Sequence, residues 1–338
     1  MRAVVYHGPA DLRLEQIPDP DPAPGEVVLE VAAAGICGTD RHIVAGELGV
    51  GPGTVPGHEI AGRVSVVGEG VTGWEPGRRV LSYGQVTCGE CRSCRDGFEY
   101  RCRQPQVMGM TRQGGFAELI SVPEQCLLPV PDAVPDEIAA IVPDAIATPY
   151  HALVTVGRIE VGETVVIVGA GGLGVQAIVL ARWAGAGRIV AVDPSPAARE
   201  AAIAAGADEV MDPSAHDDPA KALYTLIVGA TLALECVGRG ETVEMAMQSL
   251  APGGRLVVVG VGHHRPRLPP LIRFVAGENS IHGSFGSTIA EIETVLSLIA
   301  DGRLDVSHSI SRKVTLDGVA DVFTQPPTPG RTVIFPQP

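Results

Sequence analysis

Apolar and polar positions repeat with two different periods along this chain, and the change of period divides it. Through the first third, short apolar or alternating runs recur between clusters of Gly and Pro. Those at 27–31 and 63–67 read as β-strands. The Asp-, Pro- and Gly-rich segment 19–25 reads as a turn-rich connector. Few helical periods precede about residue 136. From about residue 146 short strands at 165–168, 189–192, 209–211, 231–236, 255–259 and 280–284 alternate with helical stretches, clearest at 173–183, 196–205 and 241–250. Strands that alternate with helices predict an α/β fold with a doubly wound parallel sheet. After a last helix at 289–300, short β-runs return. The simplest arrangement is a β-rich domain built from both termini, residues 1–145 and 286–338. An α/β domain of residues 146–285 is inserted between them.

Composition narrows the classes. A chain of 338 residues with 45 % hydrophobic positions is long and apolar enough for two cored domains. Its net charge of −14 argues against a nucleic-acid partner, since phosphate backbones are bound by clustered Lys and Arg. Seven cysteines in this length do not make a disulfide scaffold. The N-terminal segment turns polar too soon for a signal peptide, so a cytoplasmic setting is expected. The uncharged stretch 164–181 has the length of a membrane span. A glycine turn inside it argues against that, and no membrane partner is expected.

That glycine turn is the first chemical signal. Gly169, Gly171 and Gly174 form G-x-G-x-x-G, with Gly172 and Leu173 between them, directly after a buried strand and before a helix. The first Gly permits a tight turn, the second lets backbone approach a pyrophosphate, and the third lets helix pack on strand. The helix N-terminus then offers free N–H groups to the phosphates. Asp193 ends the next strand. A carboxylate there accepts hydrogen bonds from ribose hydroxyls and repels a 2′-phosphate, which favours NAD over NADP. Arg199 lies near enough to soften that preference.

The second signal is Cys88, Cys91, Cys94 and Cys102, spaced C-x2-C-x2-C-x7-C. One tight loop can turn several thiolates inward, and a fourth can close a tetrahedron around one zinc ion. Four thiolates leave no position for a substrate, so this zinc is expected to be structural.

Cys37, in G-I-C-G-T-D, and His58 with Glu59, in P-G-H-E, are ambiguous taken singly. In this order and with these separations, however, these motifs, the four-cysteine loop and V-G-A-G-G-L-G make the whole chain resemble the zinc-dependent alcohol dehydrogenases of the medium-chain dehydrogenase/reductase family. The resemblance implies a GroES-like β-rich domain, two zinc ions per chain and a nicotinamide cofactor. It implies that Cys37 and His58 ligate a catalytic zinc. The third ligand comes from the segment before the dinucleotide domain, where no cysteine stands and Asp144 is the candidate. The family also implies that Glu59 lies beside the metal and can bind it transiently, that Asp40 fixes the His58 tautomer, and that Thr39 and His42 relay a proton to solvent. Thr148 would contact the nicotinamide and Arg331 the pyrophosphate.

The implied reaction is reversible hydride transfer between NAD and a secondary, cyclic or polyol-type alcohol in a homodimer or homotetramer associating through the edge of the dinucleotide sheet. The alternatives are a zinc-free quinone or enoyl reductase on the same fold, and a non-catalytic zinc- or redox-sensing relative. The substrate pocket is expected around Tyr83, Gly84, 108–110 and the last strands, with the small Gly84 leaving room near the metal.

Overall fold

The computed structural model describes residues 1–337. In the inserted α/β unit the central strand Thr164–Val168 is a run of β-branched residues, as burial on both faces demands. Val165, Val166, Ile167 and Val168 are all buried. Six parallel strands form one sheet in the order Glu209–Met211, Arg188–Val192, Thr164–Val168, Ala230–Glu235, Leu250–Val258 and Ser280–Gly283. Thr164–Val168 pairs with Arg188–Val192 on one side and with Ala230–Glu235 on the other. The strand order therefore reverses at the glycine turn that follows Val168, the place where ligands bind in such sheets. The predicted helices form at Gly172–Trp183, Pro196–Ala204, Gly240–Gln248 and Ile289–Ala300. Two further helices, Pro219–Ile227 and Leu271–Ala276, were not read from the periodicity.

The second sheet joins the two ends of the chain. Its strands run Ile310–Thr315, Arg331–Phe335, Glu26–Ile36, Glu59–Val67, Arg79–Ser82 and Leu127–Pro129, and Leu119–Pro123 also pairs with Glu26–Ile36. Register does the functional work. Thr332 pairs with Ile36, and Gly35 pairs with Glu59. The starts of two strands and the end of a third thus meet at one point, and Arg331, Cys37, His58 and Glu59 are collected there.

One long apolar helix, Asp136–Val156, lies mostly buried in the core. The uncharged stretch 164–181 is instead a strand, the glycine turn and part of a helix. The long helix is not uniform. Its turns widen to π geometry at Val142–Ile146 and again at His151–Val156. Pro143 lies inside the first wide turn and Pro149 just before the second. Each proline removes an N–H and crowds the carbonyl four residues back, which breaks the regular ladder. The first wide turn presents Asp144 to the meeting point of the strands.

Candidate active site

Cys37 is the N-cap of the short helix Gly38–Val44. The Asp40 carboxylate accepts the Cys37 N–H at 2.8 Å, which fixes the turn that aims the thiol. Cys37 Sγ lies 3.0 Å from Asp144 Oδ2, and His58 Nε2 lies 3.8 Å from the same oxygen. Tetrahedral zinc with ordinary bond lengths would separate such ligand atoms by about 3.3–3.5 Å. Ligand atoms of Cys37, His58, Glu59 and Asp144 all lie within 4.8 Å of one another. One thiol, one imidazole and a carboxylate make a zinc-type donor set.

Burial and neighbouring charges hold the groups of this cluster far from their ordinary titration ranges. Burial raises the Cys37 thiol, and the Asp144 charge adds to the rise. Burial pushes Glu59 up to about 8, although the Arg331 charge pulls the other way. Asp144 is held well below the usual carboxylate range: burial opposes this, but His58 and Arg331 outweigh it. His58 is raised well above its ordinary value because Asp40, Asp144 and Cys37 overcome its burial. Three buried atoms of this cluster have no hydrogen-bond partner among the described residues: Asp40 Oδ1, His58 Nδ1 and Glu59 Oε2. A dication among Cys37, His58 and Asp144 would let the acids ionise and leave the imidazole neutral. The residues therefore fit zinc.

Several expected roles change in detail. Asp40 does face His58 Nδ1, but at 3.8 Å, beyond hydrogen-bond reach, and its tight bond is to the Cys37 backbone. Arg331, expected at a pyrophosphate, is buried and engaged by two carboxylates. Its Nη2 lies 2.6 Å from Glu59 Oε1 and 2.7 Å from Asp144 Oδ2. Only Nη1 turns to the glycine turn, where a Cβ on Gly172 would come within 2.6 Å of it. Arg331 thus links the metal-type cluster to the phosphate-type loop, a role sequence reading missed because it depends on strand register. Gly35 makes room for this: a Cβ there would lie 1.8 Å from Glu59 Oε2. Thr148 donates to Asp144 Oδ1 at 3.2 Å, so it steadies that carboxylate from one turn along the helix. Thr39 Oγ1 lies 3.8 Å from Cys37 Sγ, and His42 is exposed with Nδ1 on Glu47.

Gly84 leaves no room near the cluster. A Cβ there would lie 2.8 Å from the His58 carbonyl oxygen, so the glycine serves close backbone packing. Met108 is likewise fully buried, beneath Ser82. A cavity is lined by Tyr100, Arg101, His151, Val259, Ser284 and Phe285, among others, at the ends of the last two strands of the parallel sheet.

The dinucleotide loop has the required form. Gly169 has φ of +89°, which favours glycine. A Cβ on Gly174 would lie 1.8 Å from the Gly169 carbonyl oxygen, whereas one on Gly171 would meet open space. Asp193 braces the turn: its Oδ2 accepts the Ala170 N–H at 2.9 Å and its Oδ1 the Ser195 N–H at 2.8 Å. Arg199 is tied to the Asp193 carbonyl at 2.7 Å and to Asp212 at 3.1 Å.

The four cysteines converge. Sulfur separations of 3.5 Å (Cys91–Cys94), 3.6 Å (Cys88–Cys102) and 3.9 Å (Cys88–Cys94) match the roughly 3.8 Å edge of a tetrahedron of zinc–thiolate bonds. Backbone N–H groups of Cys91, Cys88 and Gln104 donate to these sulfurs. The thiols pull each other apart. The Cys94 N–H and other donors lower Cys91 to about 6, while burial and the Cys91 sulfur push Cys94 up to about 12. A dication removes that conflict.

Residues 23–132 match the alcohol dehydrogenase GroES-like domain, and residues 172–301 match the zinc-binding dehydrogenase domain. The chain is 30% identical over 331 residues to an L-threonine 3-dehydrogenase of Rhizobium etli, which covers 96% of this chain and 94% of the relative. An alcohol dehydrogenase from Thermus sp. ATN1 superposes with a TM-score of 0.91 at 30% identity, over 99% of both chains. A zinc-binding dehydrogenase from Sinorhizobium meliloti bound to NADP superposes with a TM-score of 0.90 at 29% identity, again over 99% of both. Fold and relatives define an NAD(P)-dependent oxidoreductase. The chain belongs to the zinc-dependent alcohol dehydrogenases of the medium-chain dehydrogenase/reductase family.

Proposed function

We propose that this dehydrogenase uses NAD and two zinc ions per chain to oxidise a secondary, cyclic or polyol-type alcohol reversibly. The observation that carries the reading is the convergence of Cys37, His58, Glu59 and Asp144 within 4.8 Å, linked through Arg331 to the dinucleotide turn. When bound, zinc would supply Lewis acidity toward an alcohol oxygen and the dinucleotide a hydride acceptor. Cys37, His58 and Asp144 are the ligands. Arg331 holds Glu59 and Asp144 in place, and Glu59 keeps one oxygen free for ligand exchange. The Thr39 hydroxyl, beside Cys37, would accept the proton of the alcohol as it gives up its own, and the exposed His42 on the same short helix would be the solvent end of that relay. Assay of primary, secondary, cyclic and sugar alcohols with both nucleotides tests this. Turnover of none of them would remove the reading. A zinc-free reductase would have no use for this buried donor set.

Asp193 supports NAD. Both its oxygens are fixed by backbone N–H groups, so its charge cannot swing away from a 2′-phosphate. Arg199, the nearby cation, is committed to Asp193 and Asp212. Asp193→Gly is expected to raise the NADP-to-NAD ratio of kcat/KM by at least about tenfold, roughly 1.4 kcal/mol. An unchanged ratio would take Asp193 out of nucleotide selection.

A homodimer through the edge of the dinucleotide sheet is also proposed. Ser280–Gly283 is an edge strand with its outer residues exposed. Beside it in the chain, the helix Leu271–Ala276 has no buried residue and exposes Leu271, Ile272 and Val275. An open strand edge next to an apolar face is an association surface. Ile272→Asp should shift sedimentation toward the monomer, and an unaltered dimer or tetramer would place the interface elsewhere.

A further inference from the structure

A cavity walled by elements that also carry the active site points to a substrate class, an inference that rests on the dehydrogenase reading above. It measures about 320 Å³ and lies between the four-cysteine loop and the carboxyl ends of the strands Leu250–Val258 and Ser280–Gly283. In open parallel sheets ligands bind at those strand ends. Two elements run from the cavity wall to the metal-type cluster. His151, in its wall, belongs to the same long helix as Asp144. The wall loop that carries Ser284 and Phe285 continues to Ser287, whose hydroxyl donates to the carbonyl of Pro143, the residue before Asp144.

The chemistry of the wall is uneven. Val259 and Phe285 make one side apolar. The other side carries Arg101, whose guanidinium stacks 4.9 Å over Phe98 and 5.0 Å over Tyr100. Among the described residues Arg101 has no ion pair, although 39 acidic residues are present, and the polar group nearest its charge is the Tyr100 hydroxyl. Two further wall residues have unused hydrogen-bonding capacity: Tyr100 Oη and Ser284 Oγ are buried without a partner. Two carboxylates lie near this wall: Glu99, on the same turn as Arg101, has one buried oxygen without a partner, whereas Glu291 is fully engaged. It takes His151 Nδ1 at 2.9 Å, the Thr155 hydroxyl, and the Thr288 N–H at 2.8 Å. The wall therefore exposes one uncommitted cation, with two unpartnered hydroxyls buried directly beneath its surface.

We propose that Arg101, with Tyr100 and Ser284, forms a subsite for an oxyanion, so that the favoured alcohol carries a carboxylate or phosphate group away from its carbinol carbon. The four-cysteine loop then has a second role. Arg101 closes the short turn Glu99–Arg101 and immediately precedes Cys102, so the loop that holds the sulfurs also sets the guanidinium.

Matched substrate pairs test this with the zinc-loaded enzyme and NAD: butan-2-ol against 3-hydroxybutyrate, and glycerol against glycerol 1-phosphate. The anionic member of at least one pair should have the higher kcat/KM by about tenfold, the lower end for a charge-assisted hydrogen bond because Arg101 is exposed. The pair that shows it tells carboxylate from phosphate. Arg101→Gln should erase the advantage through KM, and Arg101→Lys should retain part of it. Equal or better turnover of the neutral member in both pairs would overturn the subsite. So would an Arg101→Gln enzyme that loses both members of a pair in proportion, as a merely structural arginine would. If no alcohol is turned over, the dehydrogenase reading fails separately, and calorimetric titration of both anions still decides the subsite. Binding at least about tenfold tighter to the wild-type protein than to Arg101→Gln supports it, and equal binding overturns it.

Discussion

Cys37→Ser is expected to leave one zinc per chain instead of two and to lower kcat/KM for alcohol oxidation by at least about 10³-fold. The magnitude follows from the chemistry. A Lewis acid contributes several kcal/mol of charge stabilisation, and each 1.36 kcal/mol is about tenfold in rate. Serine does not ionise at this pH, so the donor set would keep only an imidazole and a carboxylate at full strength. Arg331 makes the loss worse. With Nη2 on both Glu59 and Asp144, it would neutralise the remaining carboxylate in place of a metal. Nucleotide binding should survive, because the glycine turn and Asp193 lie outside the cluster, and fluorescence titration with NADH checks that the variant is folded. Full activity with one zinc would show that the metal at Cys37 has no part in the reaction.

Cys102→Ser should also remove one zinc, but its first effect is on stability. Cys102 is the only one of the four sulfurs outside the tight 88–94 segment. It accepts the N–H groups of Cys88 and Gln104, so it closes the loop on itself. Little apolar burial replaces the metal here: Cys88, Cys91 and Cys94 are half-buried, and the short helix Arg92–Arg95 has no buried residue. Loss of several kcal/mol at about 2–4 °C per kcal/mol lowers the first thermal transition by about 10 °C. If the substrate wall is built as proposed, KM for the preferred alcohol rises as well, because Arg101 is displaced. An unchanged melting curve in the one-zinc protein would mean that the loop is braced by its protein contacts alone.

The parts of this site that were legible in the sequence are the ones whose geometry is local. The four cysteines fall within fifteen residues and the glycine turn within six, so spacing alone constrains where their atoms can go. Cys37 and His58 could be assigned only in combination, because neither carries a local pattern of its own. Asp144 was found by its place before the dinucleotide domain, but not the π turn that aims it. Two prolines disrupt the helical period there, and widened turns leave no pattern of polar and apolar positions. Arg331 was placed at the pyrophosphate, whereas strand register brings it to Glu59, 272 residues away in sequence. Gly84 misled for a related reason. A small residue signals either open space or close packing, and only the path of the His58 backbone decides which. Arg101 carried no signal, since its cavity exists only where the cysteine loop meets the ends of two strands.

The central claim is that Cys37, His58 and Asp144 hold a second, catalytic zinc apart from the one among the four cysteines. Anomalous diffraction at the zinc edge, from crystals of protein purified without chelator, tests it most directly. Two peaks per chain are expected: one at the centre of Cys88, Cys91, Cys94 and Cys102, and one within bonding distance of Cys37 Sγ, His58 Nε2 and an Asp144 oxygen. A single peak at the four cysteines, in a protein that still oxidises alcohols, would contradict the account.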